Sequence, residues 1–266
     1  MQKKNKSFRY IIVASVILAA TDIHSFRIIR TSIPKCGSHL LNKTFEYIQN
    51  AKETTPNQPI TKKFDPQLLT SLQKNLLRSS HYHLHYNYEN LELVKNEKLR
   101  LLFIYRDPRD QILSLIPYIK KLKSKIAKEA MKYIFCMDPE VLNLSEASMR
   151  TYLIHTQSKL YKIFMPWKDH PHCYALKFED LVGAEGGGTR EAQIREIHNI
   201  ARHMGINISE KRVLYIANNL FGGTSTFRKG QIGQWKTEFT AQEKDLCKKY
   251  FGQLLIDLGY EKDFNW

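Results

Sequence analysis

The four cysteines, Cys36, Cys136, Cys173 and Cys247, form no CxxC pair, and no short Cys/His spacing of the zinc type occurs anywhere in the chain. A reduced, metal-free interior follows as the plain reading. The Walker pattern GxxxxGK[ST] is also missing, which disfavours a standard P-loop nucleotide hydrolase. Neither a basic heptad region nor an aromatic RNA-binding signature is present, so the usual nucleic-acid modules have no support. There is no internal repeat and no low-complexity tract. The apolar run from Tyr10 to Ala20 is shorter than the roughly 20 residues that a membrane-spanning helix requires.

What the chain does have is positive charge. Its 266 residues carry 41 Lys and Arg against 26 Asp and Glu, a formal net charge of +15. Such a field attracts polyanions: nucleic acid, acidic lipid or a multiply phosphorylated small molecule. The basic residues are spread along the whole chain, which favours a generally basic enzyme with an anionic ligand. Apolar residues make up 42% and charged residues 25%, ordinary values for a globular protein. The length suits one large α/β domain. Residues 1–24 stand apart from residues 25–266, because Lys3, Lys4, Lys6 and Arg9 precede the apolar run as in the n- and h-regions of a secretory signal. Three readings stay open for that segment: a signal, a membrane-surface anchor, or an element packed on the domain.

From Phe26 the pattern is strand, turn, helix, repeated. Phe26 to Ser32 is β-rich; Pro34, Lys35, Cys36 and Gly37 break it; Leu40, Leu41, Phe45 and Ile48 recur at helical spacing. Ala51 to Pro66 is an irregular connection containing Pro56 and Pro59, and Leu68 to Leu77 suits a short helix. His81, His83 and His85 alternate with Tyr82, Leu84 and Tyr86, which in an extended chain puts the histidines on one face. Leu99 to Tyr105 is the most strand-like run, apolar enough for a central parallel strand covered on both sides.

Asp107 then caps a helix with Pro108 at its first position and Ile112, Leu115 and Ile119 on its buried side. Lys120 to Lys128 reads as a solvated basic face, and Met131 to Tyr161 as helix with a break near Asp138 and Pro139. Cys173 to Phe178 is a short strand, followed by Glu179, Asp180 and a loop with Gly186, Gly187 and Gly188. Thr189, Ser209 and Thr240 begin three further helices, with the irregular stretch from Phe221 to Thr240 before the last. Strands alternating with helices predict an α/β fold with a central parallel β-sheet flanked by helices.

Three segments carry chemistry. In the turn Pro34-Lys35-Cys36-Gly37-Ser38-His39, a strand-to-helix junction offers backbone N–H groups, the Ser38 hydroxyl and the Lys35 charge to an anion. Arg106 follows the central strand at the edge where open parallel sheets bind ligands, with Ser114 eight residues on in the next helix. Its guanidinium suits a forked grip on phosphate, and an Asp-capped helix with a structural ion pair is the competing reading. Phe227-Arg228-Lys229-Gly230, leading to Gly233, Trp235 and Lys236, suits a flap over a phosphate and a base, or else a solvated basic loop.

Together these segments resemble the family of sulfotransferases dependent on 3′-phosphoadenosine 5′-phosphosulfate (PAPS). Its PKxGTxxL loop is matched by Pro34 to Leu41, its 3′-phosphate element by Tyr105 to Ser114, its YEDL segment by Phe178 to Leu181, and its RKGxxGxW loop by Arg228 to Trp235. The resemblance implies a P-loop-like architecture, PAPS as co-substrate, adenosine 3′,5′-bisphosphate (PAP) as product, and no metal. It implies that Lys35, Cys36, Gly37, Ser38, His39 and Leu40 hold the 5′-phosphosulfate end, with Lys35 neutralising the leaving oxygen. Arg106, Ser114, Arg228, Lys229 and Gly230 take the 3′-phosphate. Leu40 stands where many members place an adenine-stacking Trp and Phe178 where they place a Tyr, so Phe178 and Phe227 are the candidate clamps on the base. Gln234 replaces an acidic residue of the last motif.

A histidine suits removal of the acceptor proton. The family's base lies in a context similar to His83 to Glu89, which assigns it to His83, with His81 and His85 as neighbours one step away. An HxHxH metal site is the rival use of the three. The acceptor is a hydroxyl or amine compound of unknown identity, with residues from Pro117 to Lys168 expected to line its pocket. Cytoplasmic residence is expected, because export separates the enzyme from a donor made in the cytosol; membrane contact is left to residues 1–24, and no nucleic-acid partner is expected. The competing activity is a small-molecule kinase, which needs Ser or Thr after the loop lysine where Cys36 stands. The competing non-enzyme is a basic module that binds membranes or other anions.

Overall fold

The computed structural model describes residues 27–50, 81–96, 99–121, 131–132, 135–223 and 229–266. The readings for the N-terminal run, for Ala51 to Pro66 and Leu68 to Leu77, for most of Lys120 to Lys128, and for Phe227 and Arg228 lie outside the described residues.

At the centre lies strand β3, Leu99–Tyr105, in which Leu101 to Tyr105 are all buried. Successive side chains point to opposite faces of a strand, and here the two faces enter two different cores. Leu101, Phe103 and Tyr105 join one, with Ile112, Leu153, Phe164 and Phe251. Leu102 and Ile104 join the other, with Phe45, Ile197 and Ile216. The near-continuous apolar run is therefore a strand covered on both sides. Strand β1, Arg27–Ser32, pairs with it in parallel, Arg27 opposite Leu99 and Ser32 opposite Ile104. The two-residue β2, His81–Tyr82, lies outside β1, and β4, Cys173–Lys177, pairs with the other edge of β3. The described sheet is parallel throughout, in the order β2-β1-β3-β4.

One face is covered by α1, Ser38–Gln49, with α6, Arg190–His203, and α7, Glu210–Asn219. The other carries α3, Pro108–Lys121, α4, Glu146–Phe164, and α9, Ala241–Asp257. Shorter helices are α2, Tyr88–Asn96, α5, Phe178–Leu181, and α8, Trp235–Glu238. Among the described residues, no helix is long and apolar enough to cross a membrane.

Three expected caps are present: the side chains of Thr189, Ser209 and Thr240 each accept a backbone N–H in the first turn of the helix they precede. Met131 and Lys132 are helical, and the expected break follows: Asp138 and Pro139 open a 3-10 turn through Asn143, and Ser145 caps a fresh helix start at Glu146. One expectation changes. Phe178 is not the last strand residue; the backbone turns at Lys177, and Phe178 opens α5.

The Thr240 cap is a full capping box, its hydroxyl taking the Glu243 N–H while the Glu243 carboxylate takes the Thr240 N–H. Thr240→Ala is expected to cost about 1 kcal/mol in urea unfolding with an unchanged m-value. A loss below a few tenths would show that α9 does not depend on its cap.

Candidate active site

The turn after β1 is shaped by two residues with positive φ, Lys35 at 67° and Gly37 at 106°. Gly37 is required twice over. Beyond its φ, a Cβ there would lie 2.7 Å from Phe178 Cδ2 and 3.1 Å from Ile104 Cδ1. The buried Gln111 amide holds the turn from below, Nε2 donating to the Pro34 carbonyl at 2.9 Å and to Gln157 Oε1 at 3.0 Å. No side chain caps the first turn of α1. Its N–H groups therefore form an anion-seeking end, which Lys35, Gly37, Ser38, His39 and Leu40 present to a cavity of about 280 Å³.

Cys36 faces the other way. Its buried thiol lies 3.4 Å from the Tyr161 hydroxyl, which donates to the Arg106 carbonyl at 2.7 Å. Burial pushes the thiol up to about 12. It is a protonated packing group, and only its backbone belongs to the turn.

Arg106 emerges at the end of β3 and lines the same cavity, as do Ser114 and Phe178. The guanidinium lies over the Phe178 ring, Cζ 4.3 Å from its centroid, and Nη2 donates to the Gln231 carbonyl at 2.6 Å. Its Nε is buried and has no hydrogen-bond partner among the described residues. The expected cap and ion pair are present beside it. The Asp107 carboxylate accepts the Arg109 N–H at 2.9 Å and Arg109 Nη2 at 2.7 Å. The Asp107 N–H donates to Glu179 Oε1 at 2.9 Å. Desolvation raises Glu179 to about 7, with Arg106 and the Asp107 N–H opposing it.

The stretch with Lys229 and Gly230 forms the third part of the cavity wall. Several groups that the motifs did not single out hold it there. The Asp110 carboxylate accepts the N–H groups of Gly233 at 2.5 Å and Trp235 at 3.1 Å. The Gly186 carbonyl accepts the Ile232 N–H at 3.0 Å, and Gln231 Nε2 donates to the Glu185 carbonyl at 2.6 Å. A Cβ on Gly186 would meet the Gly230 carbonyl at 2.7 Å, and one on Gly188 the Glu179 carbonyl at 2.5 Å. The signal was the run of three glycines, whose need for close backbone approach is visible only once the loops meet.

His83 also lines the cavity. The strand stops at Tyr82, and His83 and His85 meet different neighbours rather than sharing one face. The His83 ring turns toward β1, with Nδ1 2.7 Å from the Ser32 carbonyl. A carbonyl only accepts, so Nδ1 bears the hydrogen and Nε2 the lone pair. Packing around this half-buried ring lowers its pKa to about 4, against the pull of the Ser32 hydrogen bond. His85 instead meets Phe164 edge-on at 5.0 Å, and the His81 side chain lies outside the described residues. Among the described residues no group of three His, Cys, Asp or Glu is placed to hold a metal ion.

Tyr118 and Phe135 also line the cavity, their ring centroids 5.8 Å apart, and Lys35 Nζ sits 4.7 Å from the Tyr118 centroid. Leu220, Phe221 and Gly222 line it as well, as do Val182 and Asn42. Phe221 falls in the irregular stretch of the sequence and belongs to no motif.

Residues 26–259 match the family model described as a sulfotransferase domain. Sulfotransferase 6B1 of Danio rerio is 22% identical, with 85% of this chain and 78% of that protein covered. Among solved structures, mouse sulfotransferase SULT7A1 complexed with PAP is similar with a TM-score of 0.59 at 18% identity, over 90% of each chain. Retinol dehydratase in complex with androsterone and inactive cofactor PAP gives 0.55 at 16%, over 87% of this chain and 81% of that one. The model match runs from the first strand past the last helix, through every element that walls the cavity, and the chain belongs to the sulfotransferase family.

Proposed function

We propose that the protein moves a sulfuryl group from PAPS to a hydroxyl or amine of an acceptor, by in-line transfer. The observation that carries this is the convergence of an uncapped, lysine-bearing helix start and the Arg106 guanidinium on one cavity that also receives His83. Two separated cationic walls suit a nucleotide with anionic groups at both ends of its ribose.

Sulfuryl transfer asks the protein for position, a base and a counter-charge rather than a covalent intermediate. The acceptor proton passes to His83 Nε2 as the acceptor oxygen or nitrogen attacks sulfur. The bond from sulfur to the 5′-phosphate oxygen breaks, and that oxygen keeps the electron pair. Lys35 and the first N–H groups of α1 stabilise the charge it gains. Arg106, Ser114, Lys229 and Gly230 take the 3′-phosphate, where the Arg106 Nε–H is a buried donor suited to an anion. Phe178 and Phe221 supply the flat apolar surfaces for adenine, in place of the Trp and Tyr that are missing. Leu113, Tyr118 and Phe135 give the acceptor an apolar approach to His83.

The direct test is incubation of the purified chain with sulfur-labelled PAPS and a panel of hydroxyl and amine acceptors, alongside PAP binding by calorimetry. Absence of both binding and transfer would sink the reading. His83→Ala is expected to lower kcat by at least about a hundredfold with PAP affinity nearly intact; retained turnover would move the base elsewhere. Arg106→Lys, which keeps the charge and loses the fork, is expected to weaken PAP on the order of tenfold while 5′-AMP changes little. Equal loss for both nucleotides would remove Arg106 from the 3′-phosphate.

The neutral imidazole is the working form, so activity is lost as pH falls through its pKa. For kcat/KM, which reports the free enzyme, the acid limb is expected near pH 4. For kcat it is expected at higher pH, because bound phosphosulfate favours the imidazolium. Two limbs coinciding near the ordinary histidine value of about 6.5 would argue against His83.

A further inference from the structure

After α9 the chain folds back toward the turn that carries Arg106. Tyr260 donates its hydroxyl to Glu179 Oε2 at 2.9 Å, and Arg109 Nη1 donates to Glu261 Oε1 at 2.5 Å. The Phe264 ring occupies the space left by Gly252, where a Cβ would lie 2.3 Å from Phe264 Cε1. Trp266 lies against Arg109, Cζ 4.5 Å from its ring, and edge-on to Trp235 with ring centroids 5.5 Å apart. Its indole Nε1 has no hydrogen-bond partner among the described residues, so packing and the cation–π contact hold it. The family match ends at residue 259, before these residues.

Both groups that the tail grips act on Asp107, the neighbour of Arg106. Glu179 accepts the Asp107 N–H, and Arg109 binds the Asp107 carboxylate through Nε and Nη2 at 2.7–3.2 Å. Arg109 is only 1% exposed, and a buried guanidinium keeps one position only while its carboxylates and packing surfaces stay in place. It also lies 3.6 Å from the centroid of Trp235, whose N–H is bound by Asp110 in the same helical turn as Arg109. Loosening Arg109 thus loosens the Arg106 turn and the start of α8 together.

We infer that Tyr260 to Trp266 form a positioning strap for the 3′-phosphate subsite, with Glu261 and Trp266 acting through Arg109. This rests on the PAPS reading above. None of the strap residues lines the cavity, so their effect is indirect and falls on the subsite whose arginine they orient. The 5′ turn has supports of its own in Gln111 and Gln157, and meets the Arg106 turn through Tyr161, which none of the strap residues is shown to grip.

The test compares PAP with 5′-AMP, which lacks the 3′-phosphate, by calorimetry on the full chain and on Trp266→Ala, Trp266→Phe and Glu261→Gln. Trp266→Ala and Glu261→Gln are expected to weaken PAP about five- to tenfold, 5′-AMP by less than about twofold, with Trp266→Phe recovering most of the loss. A purely structural tail would lower Tm and leave the ratio of the two affinities where it was, and that outcome overturns the strap. Should Trp266→Ala fail to fold, Glu261→Gln decides, since it preserves shape. A wild-type chain that does not prefer PAP over 5′-AMP would instead overturn the donor reading, and the strap with it.

Discussion

The double burial of β3 is the constraint from which the site follows. A strand with apolar side chains on both faces has a place for polar groups only where it ends, and β3 ends at Tyr105 with Arg106 next. The two cores meet across the strand, so the turn beyond it opens between the helices of one layer and those of the other. The parallel register brings the end of β1 to the same level, with Ser32 opposite Ile104. The Lys35 turn and the Arg106 turn are thereby placed side by side before any ligand contact is considered, as the strand-end rule for open parallel sheets requires.

Crowding cations at that edge needs carboxylates, and their distribution divides the basic residues into two groups. Arg109 serves structure: it is saturated by Asp107 and Glu261 and packed on two indoles. Asp110 serves the backbone, holding the N–H groups of Gly233 and Trp235. Arg106, three residues before Arg109, has the opposite role. Its guanidinium meets a carbonyl and an aromatic face where Arg109 meets carboxylates. Among the described residues no carboxylate grips it directly, and its positive charge faces the cavity, as the proposed anion subsite requires.

The fold was largely legible because its signals are local. Continuous apolar character marked β3, and Thr189, Ser209 and Thr240 marked helix starts by a hydrogen-bonding preference that acts within one turn. Lys35, Gly37, Arg106 and Gly230 were legible for the same reason, each lying in a short motif. What escaped depends on contacts between distant segments. The alternation of His81, His83 and His85 suggested a shared face, yet β2 stops after two residues and the chain twists His83 toward Ser32 and His85 toward Phe164. Cys36 sat in a motif but turned to the core because Tyr161, 125 positions away, receives it. The same distance hid Asp110, Phe221 and the three glycines, whose partners come from other parts of the chain.

The net charge of +15 and the few cations in the cavity act at different ranges. A field summed over the surface speeds the encounter with a polyanion and is screened over about 10 Å at ordinary salt. It does not distinguish one phosphorylated ligand from another. On the PAPS reading, discrimination would belong to groups whose positions are fixed: N–H vectors set by the φ of Lys35 and Gly37, and a guanidinium plane set by Phe178 and the Gln231 carbonyl. Those positions are held by residues outside the cavity, Gln111 beneath one turn and Arg109 beside the other, so on the PAPS reading the selectivity of the site would be a property of its supports as much as of its lining.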